Sequence, residues 1–75
     1  MRISLDNGYT FLTASEAMEQ IQEYNVWDAS HVWDAIVEVM DDEIREKVHR
    51  DFAPCSWEEF LEAYLKEAKD DIIIG

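Results

Sequence analysis

Carboxylates are the side chains of this sequence best placed to act on another molecule. Between Arg2 and Arg45 there is no Lys or Arg, while Asp6, Glu16, Glu19, Glu23, Asp28, Asp34, Glu38, Asp41, Asp42 and Glu43 all fall there. An anion with no cation nearby is available to one elsewhere, in a cleft lined by Lys and Arg. Glu16, Glu19 and Glu23, then Asp34, Glu38 and Asp41, follow one another at three or four residues on the outer faces of two predicted helices. That spacing puts side chains about 5–6 Å apart, the few-ångström scale on which phosphate charges succeed one another along a nucleic-acid strand. Asp42 extends the second row, and Glu58, Glu59 and Glu62 make a further patch. The chemistry this suits is phosphate mimicry.

Other chemistries find less support. His31 and His49 lie on different predicted helices, with no spacing that assembles a ligand set. Cys55 beside Pro54 is a lone thiol, and cysteine is among the most buried residue types, so it reads as a core or boundary residue. No metal-ligand spacing backs a zinc site from His31, His49, Cys55 and an acid. Asp41-Asp42-Glu43 lacks the alternating oxygen ligands and central glycine of a calcium loop and reads as a helix cap. With Gly8 and Gly75 the only glycines, there is no phosphate-cradling loop. The expectation is a protein that is not an enzyme, with no catalytic residue, cofactor or metal.

Seventy-five residues are expected to form one domain, 1–75, near the size where a core yields only a few kcal/mol of net stability. An apolar fraction of 48%, with three Trp, three Tyr and three Phe, suits a packed globule rather than a disordered acidic tail. A single cysteine rules out an intramolecular disulfide and fits a reducing compartment. Neither a signal peptide nor a membrane-length apolar run is visible, so a cytoplasmic protein is expected. The net charge of −12 would repel bare nucleic acid and anionic membrane alike. Solubility needs a magnitude of only about 2–8 in a small domain, and the excess destabilises the fold by self-repulsion.

The elements that hold these residues can be read in order. Arg2 to Thr13 predicts a β-hairpin around Asp6-Asn7-Gly8. A two-residue turn pairs Asp6 with Tyr9; a three-residue loop with Gly8 as a left-handed bulge pairs Leu5 with Tyr9 and Ile3 with Phe11. The second collects Ile3, Leu5, Tyr9 and Phe11 on one buried face and is preferred. Thr13 with Glu16 is a capping box opening a helix whose stripe is Ala14, Ala17, Met18, Ile21 and Tyr24. Residues 25–28 form a connection, with Asp28 capping a helix over about 29–40 that buries Val32, Ile36, Val39 and one of Trp33 or Met40.

Asp41-Asp42-Glu43 caps a third helix, with stripe Ile44, Val48 and Phe52. Its bases follow carboxylates at i, i+4: Asp41 to Arg45, Glu43 to Lys47, Glu46 to Arg50. Ala53-Pro54-Cys55 breaks the chain. Ser56 with Glu59 caps the most strongly patterned helix, with Trp57, Phe60, Leu61, Tyr64, Leu65 and Ala68 on one stripe. Ile72-Ile73-Ile74 is a short strand expected to join the hairpin. The fold class is α+β: an N-terminal hairpin and a C-terminal strand in one small sheet, packed by about four helices. Trp33 and Trp57 read as core. Trp27, in the connection beside Asp28, is the tryptophan to suspect first as a partner contact, with packing against the core as the alternative reading.

A small acidic chain that opens ISLDNGYTF and ends APCSWEEFLEAYLKEAKDDIIIG resembles the small proteins of phages and conjugative elements. Among these are anti-CRISPR and anti-restriction proteins, several of which act as DNA mimics. The resemblance is one of size, charge and style over the whole chain, and it brings no catalytic residue or shared fold with it. It implies an inhibitor in the host cytoplasm that obstructs PAM reading or DNA access in a CRISPR effector, or else a restriction enzyme. Its contacts would be Glu16, Glu19, Glu23, Asp34, Glu38, Asp41 and Asp42, with Glu58, Glu59, Glu62 and Trp27. An immunity or antitoxin protein capping a basic nuclease, and an oligomeric interaction module, are the alternatives. Homodimerisation through Trp27 or an open sheet edge is compatible with each.

Overall fold

The computed structural model describes residues 1–52 and 56–75, with Phe52 described in its backbone alone. The order is β1 (Ile3–Ser4), α1 (Ala14–Gln22), α2 (Val26–Val39), α3 (Asp42–Phe52), α4 (Trp57–Glu67) and β2 (Ile72–Ile73). Four helices and a small sheet make this the expected α+β fold. Helix α4 is its centre, packing against α1 on one side and α3 on the other. Leu61, Tyr64 and Leu65 from α4 share one core with Ala17, Met18 and Ile21 from α1, Ile36 of α2 and its C-cap Met40, and Val48 from α3. Ile3, Leu12 and Ile72 close that core at the sheet.

The terminal isoleucines do join the N-terminal strand. They pair with it in parallel, Ile3 with Ile72 and Ser4 with Ile73, so the whole helical stretch is one crossover. The hairpin is a different matter. Its second arm is reduced to one antiparallel bridge, Ile3 to Leu12. That is the register of the two-residue turn, and both Asn7 (φ 60°) and Gly8 (φ 94°) have the positive φ such a turn demands. Tyr9 is 90% exposed and Phe11 is exposed too, so the expected four-residue buried face does not form. The reason lies in two short side chains. The buried Ser4 hydroxyl accepts the Gly8 amide (2.8 Å), and Asp6 Oδ1 accepts the Thr10 amide (2.8 Å), taking donors that a ladder would use. The Asn7 amide meanwhile donates to the Ile74 carbonyl at 2.8 Å.

Helix boundaries follow their caps. Thr13 and Glu16 form the reciprocal capping box, and Ala14, Ala17, Met18 and Ile21 are buried as the stripe requires; Tyr24 lies beyond the helix and is exposed. Helix α2 starts one turn earlier than expected. Asn25, not Asp28, is its N-cap: Asn25 Oδ1 accepts the Asp28 amide (2.8 Å), and its amide nitrogen donates to Asp28 Oδ2 (3.0 Å). Trp27 therefore belongs to the first turn of a helix. Ile36 and Met40 are buried, Val32 and Trp33 half-buried, and Val39 is exposed. Asp41 Oδ1 caps α3 by accepting the Glu43 and Ile44 amides at 2.9 and 3.2 Å, and Ser56 caps α4 by accepting the Glu59 amide. The predicted break at Ala53-Pro54-Cys55 lies outside the described residues.

Candidate protein-interaction surface

All ten carboxylates named as contacts are exposed, yet their chemistry divides them. Glu16 is a structural residue: its Oε1 accepts the Thr13 amide at 3.0 Å. The Thr13 amide and then the Thr13 hydroxyl, helped by the charge of Arg2, hold the Glu16 carboxyl below the usual range. Asp41 is engaged as the cap of α3. Asp42 pairs with Arg45 at 3.0 Å, and Glu62 with Lys66 at 3.8 Å. The remaining six, Glu19, Glu23, Asp34, Glu38, Glu58 and Glu59, make no ion pair among the described residues.

The basic residues of α3 are less local than their spacing implies. Arg45 pairs with Asp42 rather than with Asp41, whose Oδ1 accepts helix amides, and Lys47 crosses to Glu67 of α4 at 3.0 Å. Glu46 and Arg50 form no bridge among the described residues. The observed neutralisation is thus confined to α3 and α4, and α1 and α2 contain no Lys or Arg at all.

Helix packing decides which acids are neighbours. Glu62 borders a surface cleft with Thr13 and Ala14, at the start of α1. Glu58 borders a groove with Gln22 and Tyr24, at its end. The two helices therefore run antiparallel, and the α4 patch lies alongside α1, whose Glu16, Glu19 and Glu23 point away from its buried stripe. Arg2 and Lys66 sit at the Glu62 end of this seam, whereas no Lys or Arg is among the described residues lining the groove at Glu58. Asp34 and Glu38 form a separate row on α2, opposite Ile36. Asp41 and Asp42 stand apart at the α2–α3 corner.

The aromatic residues are more divided than their periodicity implies. Trp33 and Trp57 stack face to face, 4.9 Å apart and 4° from parallel, tying α2 to α4. Phe60 meets Trp33 edge-on and also meets His49 of α3. Trp57 nevertheless remains 44% exposed. Trp27 is 72% exposed and packs edge-on against His31, with ring centroids 4.6 Å apart. Trp27, His31, Asp34 and Glu38 occupy i, i+4, i+7 and i+11, a single outward stripe that mixes aromatic and acid. Placing Asn25 as the cap reveals it, since starting the helix at Asp28 leaves Trp27 off the stripe. The signal was in the sequence: Asn25-x-x-Asp28 is itself a capping pattern.

The histidines serve these aromatic contacts on separate helices. Among the described residues no group of three His, Cys, Asp or Glu could hold a metal ion, and Cys55 lies outside them. No described helix is long and apolar enough to cross a membrane.

No curated protein and no solved structure matches this chain. A family model does, that of anti-CRISPR protein AcrIC5, over residues 25–70. The match begins at the cap of α2 and runs through α3 and α4, so it takes in Trp27, Asp34, Glu38, Asp41, Asp42, Glu58, Glu59 and Glu62 but not the acids of α1. It covers well over half of the sequence, and the chain accordingly belongs to the anti-CRISPR protein AcrIC5 family, whose members inhibit CRISPR by binding a CRISPR–Cas component.

Proposed function

We propose that this protein inhibits CRISPR interference without enzymatic chemistry, in the host cytoplasm, by occupying a basic nucleic-acid-binding surface of the CRISPR effector. Its carboxylates stand in for backbone phosphates, so that PAM reading or DNA access is obstructed. The observation behind this is the charge pattern: helices α1 and α2 expose acids with no Lys or Arg from residue 3 to residue 44. Glu19, Glu23, Asp34, Glu38, Glu58 and Glu59 are the prime contacts, because no partner within the described chain competes for them. Glu16, Asp41, Asp42 and Glu62 add to the field while serving the fold.

Competition with DNA tests the idea. Guide-loaded effector is incubated with the protein, then offered labelled target duplex in a gel-shift assay. Mimicry requires that bound inhibitor exclude the duplex and that excess duplex restore binding. An effector that still binds DNA normally while its interference is blocked refutes mimicry and leaves inhibition at a later step.

A further inference from the structure

A groove of about 440 Å³ opens where the end of α1, the start of α2 and the start of α4 converge. Met18 and Ile21 lie buried within it, and Tyr24, Val26 and Trp57 line it together with Glu58. Val26 is 85% exposed at the first position of its helix, so it contributes little to the core. Tyr24 and Trp57 are each more than two-fifths exposed. Apolar side chains gathered this way on a surface mark a contact site. Their charged neighbours, Glu23, Asp28 and Glu58, are all acidic, and no base occurs from Ser56 to Leu65 either.

We propose that this groove receives an apolar or aromatic side chain projecting from the cationic surface of the CRISPR–Cas component. The surrounding carboxylates then take the Lys and Arg that flank it. Charge complementarity selects this occupant: a second copy of a chain at −12 is repelled, as is a nucleic acid. The arrangement of an apolar anchor within a charged rim is that of interface hot spots. Rim charges set the association rate and salt dependence, whereas the anchor sets the dissociation rate. The inference rests on the proposal that the target surface is basic, but it predicts an effect of opposite sign.

Val26→Glu separates the two. A carboxylate at the first position of a helix is favourable, so folding is expected to survive, and a thermal melt confirms it. Were charge the whole of binding, the added carboxylate would leave affinity unchanged or raise it. With an anchor, Val26→Glu weakens binding to purified guide-loaded effector roughly tenfold or more, at low and high salt alike. Tyr24→Ser, which changes no charge, follows the same pattern. Undiminished binding by Val26→Glu overturns the anchor and leaves mimicry standing. Loss with Val26→Glu but full binding by Asp34→Asn/Glu38→Gln upholds the anchor and removes the α2 carboxylate row. A wild-type dimer in sedimentation that Val26→Glu dissociates overturns the proposal, because the occupant is then a second copy.

Discussion

Replacing Asp34 and Glu38 together by their amides is the sharpest probe of the charge reading. Both are exposed on α2 and neither has an ion-pair partner among the described residues. The fold should therefore change by no more than about 0.5 kcal/mol, or roughly 2–4 °C in Tm for a chain of this size. The direction is upward if the change is measurable, because the net charge falls from −12 to −10 and self-repulsion eases. Binding moves the other way. An exposed charge pair contributes about 0.2–1 kcal/mol, and a close interfacial one about 1.5 kcal/mol or more. Two lost pairs thus predict about 0.5–3 kcal/mol, or a roughly two- to 150-fold rise in Kd. Biolayer interferometry against guide-loaded effector at about 0.05 and about 0.3 M NaCl reads both the loss and its screening. The double variant should lose most at low salt and approach wild type as salt rises. A folded variant that binds as tightly as wild type at low salt shows that the α2 row does not touch the target.

Further outcomes test the fold that holds this surface. The Asp41 amide donates to the buried Tyr64 hydroxyl at 2.7 Å, so Tyr64→Phe should cost about 1 kcal/mol and lower Tm by roughly 4–8 °C in a calorimetric scan. Thr13→Ala removes the cap of α1 and should cost a similar amount, about 1 kcal/mol, whereas Glu16→Gln keeps the capping box and should leave stability near wild type. The Thr10 amide first, and the Ser4 hydroxyl second, hold the Asp6 carboxyl below its ordinary 3.8, as Thr13 holds Glu16 below 4.5. A depressed folded value means the contribution is present above the ordinary value and lost as pH falls through the folded one. In denaturant titrations below pH 4.5, wild type should therefore lose stability more steeply than Asp6→Asn/Glu16→Gln.

Local interactions were legible in the residues alone. The Thr13–Glu16 box, the Asp41 and Ser56 caps and the stripes of α1 and α4 depend on side chains within four positions of one another, and a helix satisfies them wherever it is placed. The acidic imbalance is likewise a property of composition. That the terminal isoleucines join the N-terminal strand was legible; that the hairpin's second arm would shrink to one bridge was not. Ser4 and Asp6 divert the amides of the would-be hairpin, while Ile72 and Ile73 supply a partner from the far end of the chain, and only the packed helices bring that partner within reach. The same holds for the surface. Helical periodicity puts Trp57 on a buried stripe, but α2 and α4 meet so that it stacks on Trp33 and still opens onto the groove beside Val26. Periodicity tells which side of a helix faces inward; how far the neighbouring helices reach over that side is set by their crossing. That crossing decided which apolar residues stayed exposed.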